Sequence, residues 1–229
     1  RSKKADPLEQ FDQEMLLNIS SQAVMAIRNL QLYEEQQRTI MGSIKSLVTL
    51  LDIRSARGYK HTSNFLRFVL SLAREIHLGE EEICSLEYAT LLHDAGKIDI
   101  PLEILTKPTK LTCREFNLIK DHPLKGVEII KHLQVLRPAL PIIMHHHEKY
   151  NGTGYPSGLK KGQIPIGARI MAVADAFEAM VYGRPYKERV SIEEALSEIE
   201  KYKGTQFDPL VVDSLLKLAK KSKKYLQLE

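Results

Sequence analysis

Residues 63–76 read Ser63-Asn64-Phe65-Leu66-Arg67-Phe68-Val69-Leu70-Ser71-Leu72-Ala73-Arg74-Glu75-Ile76, and their spacing decides the fold class. Phe65, Phe68, Val69, Leu72 and Ala73 recur at intervals of three and four, so they line one side of a helix. The same spacing continues in both directions. Upstream, from about Leu8 to Ile53, there is no proline and a single glycine, Gly42. Phe11, Met15, Ile19, Ala23, Ile27 and Leu30, then Ile40, Ile44, Leu47 and Leu51, form a stripe that Glu34, Glu35 and Arg38 interrupt. A helix of roughly 45 residues, at about 1.5 Å per residue, is too long for a compact domain of this size. It is expected to be a connector or a dimerising coiled coil. Downstream, Glu80–His93, Thr112–Asp121, Pro123–His132, Pro138–Glu148, Ala168–Val181, Ile192–Lys201 and Pro209–Leu226 read as helices. Pro123 sits at a helix start, where its missing N–H does no harm. Pro101 and Pro108 bracket one loop, and Asn151–Pro165 forms another, rich in Gly and Pro. No segment alternates with period two for long, so the chain is expected to be all-α.

Composition bounds the function. The 229 residues suit one large domain, or one domain plus a piece of another. With 43% hydrophobic and 27% charged residues the chain is globular rather than disordered. No run approaches the roughly 20 apolar residues of a membrane helix. The net charge of +4 does not single out a nucleic-acid polymer, and much of the excess sits in Lys220, Lys221, Lys223 and Lys224. A phosphate-bearing small ligand is compatible with this balance. Cys84 and Cys113 show no CxxC spacing, which disfavours a disulfide scaffold or thiolate zinc site and makes a reducing compartment the default. No secretory signal is visible in these residues. The chain begins at Arg1 rather than Met, so it is expected to be a piece of something longer.

The histidines are unevenly placed. His145, His146 and His147 are consecutive, and His93 is followed directly by Asp94. Tandem imidazoles at a helix end are costly to bury without partners. In Leu91-Leu92-His93-Asp94-Ala95-Gly96-Lys97 an apolar helix is expected to present an imidazole and a carboxylate side by side and to stop at Gly96. Asp94 has two oxygens and could bridge two metal ions, with His93 on one of them. Lys97, three residues on, could reach the same site and neutralise a substrate phosphate. A C-cap with a local Asp–Lys pair is the plainer alternative. His122 and the pair His146-His147 are further candidate ligands. Asp175 lies in the apolar run Ile170–Phe177 and needs a partner: a metal, or an arginine such as Arg169 or Arg184. His/Asp ligation without thiolate suits Fe, Mn, Zn or Ni. The loop Asn151-Gly152-Thr153-Gly154-Tyr155-Pro156-Ser157-Gly158 could present Tyr155 or backbone amides to a ligand. There is no Walker A, GxSxG, HExxH or dinucleotide-binding fingerprint.

The blocks His93-Asp94-Ala95-Gly96-Lys97, His146-His147-Glu148, Gly154-Tyr155-Pro156, Gly167-Ala168-Arg169-Ile170, Val173-Ala174-Asp175-Ala176-Phe177, Arg184-Pro185-Tyr186-Lys187 and Gly204-Thr205-Gln206-Phe207-Asp208-Pro209 occur in this order. Together they resemble the HD-GYP branch of the HD phosphohydrolase superfamily, over about Ile44 to Leu218. The resemblance implies an all-helical, HD-type bundle with a long N-terminal connector helix. It also implies a phosphodiesterase that hydrolyses cyclic di-GMP to the linear dinucleotide, and often on to GMP, through a metal-activated hydroxide. Carried over position by position, the metal ligands are His61, His93, Asp94, His122, His146, His147 and Asp175, with Asp94 bridging. Lys97 takes the family's phosphate-contacting place, Arg184 and Lys187 its ligand-phosphate contacts, and Tyr155 shapes the loop or meets a guanine. Some members hold a third metal through a Glu four residues before the first histidine ligand. Arg57 stands there, so two divalent ions, Fe or Mn, are expected.

Phe11-Asp12 through Leu32-Tyr33-Glu34-Glu35, including Ala26-Ile27-Arg28-Asn29-Leu30, resembles the last helix of a GAF sensory domain. Residues 1–43 are then a connector and residues 44–229 the phosphodiesterase domain. The resemblance implies a parallel homodimer through this helix, a GGDEF-type cyclase as a further partner, and cytoplasmic placement. The rival readings are a non-catalytic cyclic-dinucleotide-binding signalling module and an HD phosphohydrolase acting on another nucleotide.

Overall fold

The computed structural model describes residues 7–55, 59–183 and 189–221, with side chains over 9–46, 63–183 and 189–221. The chain divides into two units, residues 1–46 and 47–229. The described residues are helical, and the β-structure among them is one isolated bridge, Lys203 to Phe207.

Helix α1 spans Pro7–Ser55. With no proline beyond its first residue, nothing removes a backbone donor along its length. The hydroxyls of Thr39, Ser43 and Ser46 turn back onto the carbonyls four residues earlier, at 2.9, 3.0 and 3.0 Å, so they do not compete with the helix. In the first unit its large apolar side chains, from Phe11 to Tyr33, stand exposed.

The second unit is a bundle. Helices α2 (Tyr59–Glu75), α3 (Glu80–Leu92) and α8 (Ile166–Tyr182) pack around a core in which Phe68 and Phe177 lie 5.2 Å apart. Leu72, Leu86, Ile143, Ile170, Met171 and Leu215 are fully buried around them. Thr90, buried in α3, satisfies its hydroxyl on the Leu86 carbonyl at 2.7 Å. Helices α9 (Ile192–Lys201) and α10 (Pro209–Lys221) close the bundle. α9 begins with a capping box between Ser191 and Glu194. Glu75 at the end of α2 takes Lys217 and Lys221 of α10, each at 2.7 Å.

Between α3 and α8 lie the short helices α4 (Leu102–Leu105), α5 (Cys113–Lys120), α6 (His122–Ile130) and α7 (Leu140–His145). Two expectations are corrected here. The helix expected over Pro138–Glu148 is a 3-10 segment, Gln134–Ala139, followed by α7, with Pro138 in the tighter turn and Pro141 in the first turn of α7, where no donor is lost. Gly96 does not stop the preceding helix: α3 ends at Leu92, and the chain runs through Gly96 as a 3-10 segment, Ala95–Asp99. The glycine is needed for contact. A Cβ there would lie 2.0 Å from the His122 carbonyl oxygen and 2.5 Å from the Gly126 nitrogen, so α6 rests directly on this backbone. No described helix is long and apolar enough to cross a membrane.

Candidate metal centre

Four element ends converge. The end of α3 brings His93 and Asp94, the 3-10 segment Lys97, the start of α6 His122, and the end of α7 His146 and His147. Each of His93, His122 and His146 places Nδ1 against the carbonyl three residues earlier: Thr90 at 2.8 Å, Ile119 at 2.7 Å and Ile143 at 2.7 Å. A carbonyl only accepts, so Nδ1 carries the proton in all three. In the neutral ring the Nε2 lone pair is then left free.

Those lone pairs meet. Nε2 of His122 and Nε2 of His146 stand 3.3 Å apart, with the two residues 0% and 1% exposed. Two buried acceptors facing each other call for an electrophile between or beside them, a proton or a cation. A proton is disfavoured. Burial pushes the His122 imidazole down to about 4, against the opposing pull of Asp94. Burial takes His147 to about 3, and it takes His146 well below its ordinary value, with His147 adding to the effect. Neutral imidazoles are the form that binds metal, so the donor set fits a cation. Ligand atoms of His122, His146 and His147 all lie within 4.8 Å of one another.

Asp94 sits between the rings. Its Oδ2 is 3.5 Å from His93 Nε2 and its Oδ1 is 3.6 Å from His122 Nε2. The Lys97 ammonium donates to both oxygens, at 2.6 and 2.7 Å. The local Asp–Lys pair and the reach of Lys97 into the site therefore coexist. The His93 ring meets His146 edge-on at 5.4 Å. Asp175 on α8 acts on His147, its charge opposing the effect of burial there. Arg169, weighed as a partner for Asp175, is engaged elsewhere, on the Asp208 carboxylate and the Ile164 carbonyl. Tyr155 stacks on His147 at 4.9 Å with 27° between the rings. The side chain of His61, although the residue lies within α2, falls outside the described residues, as do Arg57, Arg184 and Lys187.

Glu148 was quoted in the sequence without a role. It is buried, its Oε1 accepts the Ser157 N–H at 2.7 Å, and the same oxygen lies 3.8 Å from His145 Nδ1. It therefore holds the far end of the loop that carries Tyr155. The near end returns through the Tyr155 N–H, which donates to the His147 carbonyl at 3.3 Å. Gly154 makes this return possible, because a Cβ would come 2.3 Å from the Lys149 nitrogen. The signal was the carboxylate directly after three histidines in a segment otherwise apolar.

Residues 45–211 match the HD domain family. The chain belongs to the HD-domain family. A cyclic di-GMP phosphodiesterase of Thermotoga maritima is 38% identical over 192 residues, covering 83% of this chain and 52% of the relative. A cyclic di-GMP phosphodiesterase response regulator of Xanthomonas campestris is 39% identical over 186 residues, covering 80% and 48%. This chain thus spans about half the length of the curated relatives it matches. Among solved structures, a cyclic GMP-AMP specific phosphodiesterase of Vibrio cholerae superposes with a TM-score of 0.63 at 23% identity, over 81% of this chain and 50% of that one. That likeness shows the all-helical HD-domain fold.

Proposed function

We propose that this HD domain is a phosphodiesterase of the HD-GYP type that hydrolyses cyclic di-GMP, with the linear dinucleotide or GMP as the end product. The observation that carries the reading is the pair of facing Nε2 atoms on His122 and His146, buried and neutral beside Asp94 and Lys97. The naming of the relatives as cyclic di-GMP phosphodiesterases supports the substrate. His61, His93, Asp94, His122, His146, His147 and Asp175 would hold two divalent cations, Fe or Mn. Such cations, when bound, polarise phosphoryl oxygens and bring the pKa of a water toward neutrality.

The remaining work falls to side chains. Carbonyl bonds at Nδ1 fix three ring orientations before any ligand arrives, so little reorganisation is needed. Asp94, set between the His93 and His122 imidazoles, would be the carboxylate that the cations share. Lys97 brings a positive charge to the edge of the centre, where it meets the oxygens of the phosphate being cut. Tyr155 keeps His147 from rotating. Arg184 and Lys187 take the second phosphate, a task that suits the guanidinium fork especially well.

The test is anaerobic turnover of cyclic di-GMP by metal-analysed protein supplied with Fe(II) or Mn(II), with Asp94→Ala as control. Linear dinucleotide or GMP from the wild type alone is expected, with two metals per chain. Full metal occupancy without product would instead favour a signalling module that binds and does not cut.

We further read residues 1–43 as a connector resembling the end of a GAF domain, and a second copy of the chain as its partner. Support comes from the exposure of large apolar side chains all around α1. A GGDEF-type cyclase as partner and a cytoplasmic site of action follow from the substrate reading.

A further inference from the structure

Helix α5 reaches the Tyr155 loop through the side chain of Lys120. It contains no buried residue and rests on α6. Its start is held firmly: Thr112 and Glu115 form a capping box, and the Lys107 ammonium donates to both Glu115 oxygens at 2.7 and 2.8 Å. Its end carries Lys120, two residues before His122.

Lys120 differs from its neighbours. Lys97, Lys107 and Lys125 each face a carboxylate, on Asp94, Glu115 and Asp99. Among the described residues no carboxylate pairs with Lys120. Its ammonium lies instead over two rings, 5.0 Å from the centre of Phe116 and 5.6 Å from that of Tyr155. Phe116 is 45% exposed. Tyr155 in turn stacks on His147. A cation with no described carboxylate partner, the exposed ring of Phe116 and the half-buried ring of Tyr155 therefore stand one ring beyond the metal centre.

A phosphate site needs charge and donors and has no use for ring faces. A nucleobase site needs both: aromatic surface for the flat base and a donor for its edge. Guanine offers two acceptors, O6 and N7, on one edge, and lysine is a natural partner for that pair. Adenine places an amino donor where O6 would be, which opposes an ammonium. A base joined through its ribose to a phosphate at the histidine cluster falls outside the cluster, where this rim stands.

We propose that Phe116, Lys120 and Tyr155 form a guanine-reading rim, with Lys120 the residue that sets base specificity. The proposal rests on the phosphodiesterase reading above and adds how the substrate base is chosen.

The experiment compares wild type, Lys120→Met and Lys120→Arg, metal-loaded, on cyclic di-GMP, cyclic di-AMP and bis(p-nitrophenyl) phosphate. In Lys120→Met, kcat/KM on cyclic di-GMP is expected to fall about tenfold or more, mainly through KM. Activity on the base-free diester should be unchanged and that on cyclic di-AMP should hold or rise, so the preference for guanine collapses, and Lys120→Arg should restore most of it. An equal fall on both cyclic dinucleotides would place Lys120 on a phosphate and overturn the proposal. So would a matching loss on the base-free diester, no change at all, or a wild type without guanine preference. Calorimetric titration with the same two cyclic dinucleotides separates the two readings if the wild type does not turn them over. Guanine-selective binding that Lys120→Met abolishes keeps the rim while the catalytic reading falls, and binding without selectivity overturns the rim.

Discussion

His122 and His146 each spend the Nδ1 proton on a carbonyl and turn Nε2 toward the other, so neither has a use for a second proton unless water or a charge is admitted. That arrangement has a measurable cost in the metal-free protein. In the unfolded chain a histidine titrates near 6.5. In the folded chain burial holds His122 at about 4 and His147 at about 3. Between these values the unfolded chain binds protons that the folded one refuses, so stability rises with pH in this window. The contribution is complete above about pH 6.5. It is lost as pH falls toward 4 for His122 and toward 3 for His147, at about 1.4 kcal/mol per pH unit for each ring. Thermal unfolding of chelator-treated protein is therefore expected to show a midpoint that drops steadily from about pH 7 to about pH 5. A level profile would contradict it. Replacing His122 with Gln should make the slope shallower, because one of the refused protons is gone.

At the scale of elements, the centre depends on how closely α6 approaches the 3-10 segment after α3. In Gly96→Ala the new methyl would sit 2.0 Å from the His122 carbonyl oxygen, inside any tolerable contact, so α6 and His122 must both move. The expected result is a loss of about 1–3 kcal/mol in chemical denaturation, with weaker metal uptake. Gly126→Ala is the control: its methyl would come no nearer than 3.4 Å to the Gly96 nitrogen, and a helical alanine recovers propensity, so little change is expected. The Tyr155 loop depends similarly on Glu148. Glu148→Ala removes the acceptor of the Ser157 N–H and should speed proteolytic cleavage within residues 151–158, whereas Glu148→Gln keeps an acceptor and should not. These elements also show what the sequence could reveal. Period and punctuation placed most helices to within a few residues, and His93-Asp94 and His146-His147 stood out because each pair is adjacent in the chain. That His122 joins His146 came only through the family resemblance, because periodicity does not show the close crossing at Gly96 that seats α6, and in sequence that glycine reads as a helix stop. Lys120 was missed for the same kind of reason. Its aromatic partner Tyr155 is on another loop, and a lysine at the end of an amphipathic helix looks like any solvated charge.

For the whole molecule, the open question is what covers α1. Phe11, Met15, Leu16, Leu17, Ile19, Val24, Met25, Ile27, Leu30, Leu32 and Tyr33 are each between 51% and 67% exposed in a single chain. Such a surface is far more apolar than a lone helix keeps in water. Leu16, Ile19, Ala23, Ala26, Leu30 and Tyr33 follow alternating steps of three and four, the spacing of a two-stranded seam. Burying one such leucine or isoleucine is worth about 1.5–3 kcal/mol, so a few pairs suffice to hold two copies together. An aspartate at Ile19 or Leu30 would place a charge in that seam opposite its own copy. Sedimentation is therefore expected to give twice the chain mass for the wild type and a single chain for Ile19→Asp/Leu30→Asp. A wild type that stays monomeric at high concentration, or a variant that stays dimeric, would rule the seam out. Every described residue of the metal centre lies within residues 47–229, so the monomeric variant should keep its metal content and its turnover of bis(p-nitrophenyl) phosphate. Loss of both on dissociation would mean instead that the centre is complete only in the dimer.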